Sequence, residues 1–321
     1  MSLISRITPT NVTAQKLAFL ENPNFNPILT YDEPLGPEEL VQFGKPENKC
    51  LELAKAILEK AYWHRNEADL NALEGTLCTQ SQVEASIFAF LKLHQLENRF
   101  KVSFSHSYLS RASISATLLK IRLPLDFRKD GLFSALYHEI GTHALRRLNY
   151  EEQPWFKKKS KYGFQSYLVT EEGLASLHGL LPQSFQVAHV AALRYLVVSW
   201  AQSYSFLEVW HKLGRYIQDP GRRWVIAIRQ KRGLEDTSQP GGFTKDAVYF
   251  QGMVEVWRWL SQHEFNPSDL YWGKLHHEDV GLAKSLKLDF QPKLPSFFAS
   301  NPKKYQKQLK EIGELNYFTQ I

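Results

Sequence analysis

Apolar positions fall into helical spacing along most of this chain. In residues 47–64, ENKCLELAKAILEKAYWH, Leu51, Ala54, Leu58 and Ala61 recur three and four residues apart, which predicts an amphipathic helix. Residues 80–97 predict a second helix. Val83, Ile87, Phe88, Phe90 and Leu91 supply its apolar side, and Ser81 with Glu84 fits a capping box at its start. The period then changes to two. Residues 101–107 (KVSFSHS) alternate, and residues 117–125 (TLLKIRLPL) alternate from Leu119 through Ile121 and Leu123, so both read as strands of a small sheet. Pro124 marks either an edge strand or the strand's end. Helical patterns return at 130–148, 170–180, 186–217 with a break, 221–233 and 244–261. Helices, a small sheet and more helices predict an α+β fold, predominantly helical. Residues 1–45, rich in Pro and Asn, read as an irregular N-terminal arm with one short helix. No Gly/Ser-rich linker divides residues 46–321, which read as a single domain.

Composition narrows this picture only a little. The 321 residues suffice for a large core, and 8 Trp, 14 Tyr and 20 Phe make the chain globular rather than disordered. Two cysteines, Cys50 and Cys78, are too few for a disulfide scaffold or an all-cysteine zinc site. Reduced thiols and a cytoplasmic protein are expected. The first residues have no apolar run of the signal-peptide kind, and no stretch is apolar enough to span a bilayer, so no membrane partner is expected. A net charge of +6 includes clusters at Lys157–Lys161, Arg222-Arg223, Arg229–Arg232 and Lys303-Lys304. These read as solvated surface or as attraction for an acidic partner. No nucleic-acid motif accompanies them, so nucleic acid is not expected and an acidic peptide fits at least as well.

The chemistry concentrates in residues 135–149, ALYHEIGTHALRRLN. His138 and His143 are five residues apart, one more than in the zinc-protease pattern H-E-x-x-H. On a regular helix, residues four apart differ by roughly 40° around the axis and residues five apart by roughly 140°, so the two imidazoles would diverge. One wider π turn would realign them. Such turns gather at functional sites, and Gly141 between the histidines tolerates the distortion. Glu139 stands where a carboxylate can take a proton from a metal-activated water and return it to a leaving amine. Downstream, in TEEGLASLHGLL (170–181), Thr170 fits a helix cap, and Glu171 and Glu172 suit a first helical turn. On composition alone the two glutamates need do no more than start that helix. His178 reads as a core or surface residue, and His106, His189, His211, His276 and His277 show no ligand spacing.

A His-bearing helix, a basic loop and then Glu-Gly-Leu-Ala resembles the arrangement in gluzincin peptidases, in which a downstream helix gives the third zinc ligand. That resemblance makes Glu172, directly before Gly173, the ligand, and Glu171 a supporting or capping residue. HEIGTH, TEEGLA and KRGLEDTSQPGGFTKDAVYFQG (231–252) together, from about residue 40 onward, resemble the microtubule-associated tyrosine carboxypeptidases and their microbial relatives with a QEGLA motif. The resemblance implies a gluzincin-like zinc metallopeptidase with a small sheet beside the active-site helix. It implies one Zn2+ per chain on His138, His143 and Glu172, with Glu139 as catalytic acid/base. It implies removal of a C-terminal residue, tyrosine in animal members acting on α-tubulin, from a protein tail. Thr-Glu-Glu stands here where some bacterial relatives have Gln-Glu, as in the animal version.

A carboxypeptidase needs donors for the substrate's terminal carboxylate. Residues 229–252 offer Arg229 at a basic helix end, a loop with Gly241 and Gly242, Thr244 as a cap, and Lys245 and Tyr249 four apart on the next helix. Arg229, Lys245 and Tyr249 are the candidate substrate-binding residues. The same segment also reads as a solvated helix end, a turn and a cap. Two other functions fit the ligand pattern: a silent peptidase-like binding protein, and a metal hydrolase of a non-peptide amide or ester.

Overall fold

The predicted helix at 47–64 forms over Asn48–Tyr62, and its buried face takes Cys50, Leu53, Ala54, Ile57, Leu58 and Ala61. A computed structural model describes residues 3–108 and 110–320. In chain order it begins with α1 (Leu3–Arg6), α2 (Val12–Glu21), α3 (Pro37–Leu40), α4 (Asn48–Tyr62), α5 (Glu67–Leu73) and α6 (Gln80–Leu93). Strands β1 (Lys101–Ser105), β2 (Ala112–Ile114) and β3 (Leu118–Arg122) follow. The rest is helical: α7 (Lys129–His138), a π turn (Glu139–Ala144), α8 (Leu145–Glu151), α9 (Leu168–Leu180), α10 (His189–Ser203), α11 (Phe206–Leu213), α12 (Pro220–Lys231), α13 (Ala247–Gln262), α14 (Val280–Leu286), α15 (Ser296–Ala299) and α16 (Pro302–Leu315). The fold is α+β and predominantly helical, as the periodicity predicts. Among the described residues no helix is long and apolar enough to cross a membrane.

Two details of the sequence reading shift. The capping box of α6 lies two residues earlier than Ser81 and Glu84. Thr79 Oγ1 accepts from Gln82 N–H at 3.3 Å, and Gln82 Oε1 accepts from Thr79 N–H at 2.8 Å. Thr79 has the extended backbone a cap requires, whereas Ser81 is already inside the helix. The sheet has three strands rather than two, in the order β1-β3-β2, with β1 parallel and β2 antiparallel to β3. Central β3 buries Leu119 and Ile121, so Pro124 marks the end of a strand and not an edge. Strand β2 is three residues long, too short to show alternation.

The chain forms two compact units, residues 1–70 with 188–251 and residues 71–187 with 252–321. In the first, α4 packs on α10, and α10 also meets α11 and α12. Phe19 of α2 is fully buried against Phe206, Trp210 and Trp224, with ring centroids 5.1–5.3 Å away. Residues 27–29 run beside 235–237: Leu29 N–H donates to Glu235 O at 2.8 Å and Thr237 Oγ1 to Pro27 O at 2.7 Å. The segment 1–45 therefore carries three helical stretches and a tether. Of the ten residues of α2 only Phe19 is buried, which explains why no helical periodicity announces it.

In the second unit, α9 packs on α7 and on the π turn, and β2 flanks the π turn. Helix α13 crosses α9 at glycines. A Cβ on Gly173 would overlap the backbone of Gly252, and one on Gly252 would overlap the carbonyl of Val169. The glycine of TEEGLA is thus a close-approach residue. Beyond α13, helices that the sequence reading passed over complete the core. Tyr305, Leu309 and Ile312 of α16 are buried, and Trp257 Nε1–H donates to Leu309 O at 2.7 Å. His178, read as core or surface, is fully buried. Its Nδ1 lies 2.7 Å from Thr142 Oγ1 and its Nε2 lies 2.9 Å from Tyr305 Oη.

Two outcomes follow for stability. Gly252→Ala gains roughly 1 kcal/mol of helix propensity but forces two backbones apart, so a net loss of about 2 kcal/mol is expected in denaturant unfolding. An unchanged midpoint would show that the helices do not need this approach. Burial holds the His178 pKa down to about 3, below the roughly 6.5 of an unfolded chain. The unfolded state therefore takes up the proton first as pH falls, and stability drops on acidification below pH ~6.5. Between pH ~6.5 and ~4.5 the loss from this residue is about 2–3 kcal/mol. His178→Gln should flatten the dependence of Tm on pH in that window, and parallel curves would count against the assignment.

Candidate metal centre

The extra residue between the histidines is absorbed as the sequence allows. Helix α7 ends at His138, the next turn is π over Glu139–Ala144, and α8 continues from Leu145. The wide turn brings the rings of His138 and His143 to 4.7 Å between centroids, nearly perpendicular at 82°. Its loosened backbone groups find side-chain partners. Thr142 Oγ1–H donates to Tyr137 O at 2.9 Å, and Tyr271 Oη–H donates to Gly141 O at 2.6 Å. Gly141 has no positive φ, so its role differs from the conformational freedom expected of it. The ring of Phe297 fills the space where a Cβ would stand.

The third candidate ligand arrives on α9. This helix starts before Thr170, so Thr170 is not its cap. Thr170 Oγ1 instead accepts from the backbone N–H of His277 at 3.0 Å. Glu172 Oε2 lies 3.7 Å from His138 Nε2 and 3.5 Å from His143 Nε2, and it is buried without a hydrogen-bond partner. Ligand atoms ~2.1 Å from a tetrahedral zinc ion lie roughly 3.4 Å apart, close to the two distances from Glu172 Oε2, and ligand-type atoms of the three residues all lie within 4.8 Å of one another. Two imidazole nitrogens and one carboxylate oxygen are also the donor types of a zinc site, and the residues fit the ion.

The charges around this trio are arranged in depth. Burial opposes ionisation of Glu172, but the two histidines outweigh it and hold the carboxyl well below the usual carboxylate range. Burial disfavours the charged form of His143, yet the adjacent carboxylates of Glu171 and Glu172 outweigh it and push its pKa up to about 10. Glu171 is 2% exposed and does more than start a helix. Its Oε1 lies 2.8 Å from His143 Nδ1 and also accepts from Lys274 Nζ at 2.7 Å, while its Oε2 accepts from Arg146 Nη1 at 2.7 Å. Arg146 is fully buried and donates further to the carbonyls of Leu270 and Leu275 at 2.8 and 2.9 Å. A carboxylate on Nδ1 fixes the ring and leaves Nε2 for an ion. Arg146, three residues past His143, and Lys274 escaped the sequence reading. The first sits one turn along the same helix, and the second gives no local signal.

Glu139 opens the π turn half-buried, and no side-chain ion pair engages it among the described residues. Arg229, Lys245 and Tyr249 belong to the first compact unit, whereas His138, Glu139, His143 and Glu172 belong to the second. Arg229 is paired with Asp246, its Nη2 2.8 Å from Oδ1, and Gln230 Nε2 holds the same carboxylate at 2.8 Å. Lys245 sits in a 3-10 turn before α13 and not on that helix's face with Tyr249. Thr244 opens that 3-10 turn and donates to Leu40 O at 3.3 Å. In the glycine loop, Gly241 N–H donates to Ala201 O at 2.8 Å. The basic loop is not uniformly solvated either. Lys159 Nζ lies 3.4 Å from the ring centroid of Tyr167, and burial lowers its pKa to about 7.

Comparison with known proteins joins this geometry to a family. The family described as Microtubule-associated tyrosine carboxypeptidase matches residues 37–315. Microtubule-associated tyrosine carboxypeptidase 1 of Mus musculus is 31% identical over 98% of this chain and 68% of its own length. The Homo sapiens protein of the same name is also 31% identical, with the same coverage. That of Rattus norvegicus is 30% identical, again over 98% and 68%. A family match across both compact units, with HEIGTH and TEEGLA inside it, leads to one conclusion: this chain belongs to the microtubule-associated tyrosine carboxypeptidase family.

Proposed function

We propose that this protein is a zinc-dependent carboxypeptidase that removes a C-terminal residue, tyrosine by kinship, from a protein tail. The observation that supports it most is the buried, unpartnered Glu172 Oε2 facing two imidazole nitrogens at 3.5 and 3.7 Å. His138, His143 and Glu172 would hold the ion, one per chain. A zinc ion bound there supplies a water of near-neutral pKa and polarises the scissile carbonyl. Glu139 would accept a proton from the water that attacks the carbonyl carbon. It then delivers a proton to the leaving amine as the C–N bond breaks, which returns the carboxylate to its starting state. Glu171 acts through His143, keeping the proton on Nδ1 and Nε2 toward the ion.

The names of the relatives point to the tail of a microtubule protein as substrate. An acidic tail suits the exposed lysines 157, 158 and 161, which follow α8. Edge strand β2, beside the π turn, can pair its free side with an extended chain. Both cysteines are free, consistent with action in the reducing cytoplasm.

Glu139→Gln should keep the zinc held by His138, His143 and Glu172 and lose peptide hydrolysis by about 10²-fold or more. Full activity in that variant would reject the mechanism. Glu171→Gln should weaken zinc binding about 10- to 100-fold at constant pH, with the protein still folded. On peptides ending in tyrosine, mass spectrometry should show loss of one residue from the free acid and none from the C-terminal amide. Internal cleavage of either peptide would mark an endopeptidase instead.

A further inference from the structure

His276 and His277, which show no ligand spacing in the sequence, meet a carboxylate in the fold. One ligand-type atom from each of Glu255, His276 and His277 lies within 4.8 Å of the other two. The two imidazoles sit face to face, 4.2 Å between centroids at 30°. All three side chains are half-buried, so a small ion can reach them while the surroundings hold them still.

The supports of this trio converge on α9. His277 is fixed twice by Thr170: its backbone N–H donates to Thr170 Oγ1 at 3.0 Å, and its Nδ1 lies 3.0 Å from the same oxygen. With Nδ1 engaged, Nε2 is the nitrogen this ring has left to offer. Glu255 stands three residues past Gly252, where α13 is locked against Val169 and Gly173 of α9. His276 precedes the turn His277–Asp279 in extended backbone. Thr170 thereby holds His277, and the close-packed part of α13 places Glu255, as a preorganised cation site requires.

We propose that Glu255, His276 and His277 form a second divalent-metal site, separate in its ligands from His138, His143 and Glu172. Two imidazoles and one carboxylate select zinc-class ions over magnesium or calcium, which prefer oxygen ligands throughout. Three protein ligands leave a further position for water. The site ties the segment before α14 to α13. Its existence does not depend on the carboxypeptidase reading.

The test is a zinc titration of the chelator-stripped full chain, with bound metal counted by mass spectrometry. Wild type should bind about two zinc ions per chain. Glu255→Gln combined with His276→Ala should reduce this to about one, while His138→Ala combined with His143→Ala should leave the other. All four substitutions together should leave none. Circular dichroism and the thermal midpoint check folding, and the milder Glu255→Gln alone should raise the second dissociation constant by at least ~10-fold. If the histidines of the π turn bind nothing but the Glu255 variants lose the bound ion, the second site stands and the carboxypeptidase reading falls. Two zinc ions retained in the Glu255→Gln, His276→Ala protein would overturn the proposal. So would a single ion in wild type that survives these substitutions, or one that either pair of substitutions abolishes.

Discussion

The candidate site rests on one widened helical turn. Two imidazoles five residues apart can face a common point only if the helix between them gives up α geometry. Residues 139–144 do so, and the surrounding core stabilises the result. Tyr271 and Thr142 satisfy carbonyls that the wide turn would otherwise strand, and such buried partners are worth on the order of 1–3 kcal/mol each. Phe297 lies against Gly141, and His178 ties Thr142 to Tyr305. The distortion is therefore specified by α9, α16 and the segment around Tyr271, not by HEIGTH alone.

The second constraint is electrostatic. Two buried carboxylates side by side would repel, and neither could remain ionised without compensation. Arg146 and Lys274 take up the charge of Glu171, which leaves Glu172 to face the histidines. Arg146 has its other donors committed to backbone carbonyls, so it cannot swing toward Glu172. Depth in the structure thus separates two adjacent glutamates into different tasks. One holds an imidazole nitrogen from behind and the other turns its oxygen toward both histidines.

How much of this was legible follows from where each signal lies along the chain. The helical class, the strands at 101–105 and 118–122 and the unusual histidine spacing are local patterns, and they could be read directly. The choice of Glu172 over Glu171 came through family resemblance, since a first helical turn accepts both. The support of Glu171 by Lys274 joins residues 103 positions apart and leaves no local trace. The partner of Arg229 is hidden for the same reason. A basic helix end invites a carboxylate, and the structure pairs it with Asp246, 17 residues on. Helix α16 is a different case: Tyr305, Leu309 and Ile312 fall at helical spacing, a local pattern present in the sequence.

Glycine shows why motif and mechanism are hard to separate by sequence. Gly173 follows the candidate ligand, which invites a role in the reaction, yet its contact is with the backbone of Gly252. That contact sets how near α13 can lie to α9. Helix α9 in turn carries Glu171 and Glu172 toward the π turn and Thr170 toward His277. A bulkier residue at the crossing would push α13 away from α9 and disturb the three residues at the start of α9 together. The glycine serves chemistry by permitting an approach, and its effect on any bound ion passes through packing before it reaches a ligand.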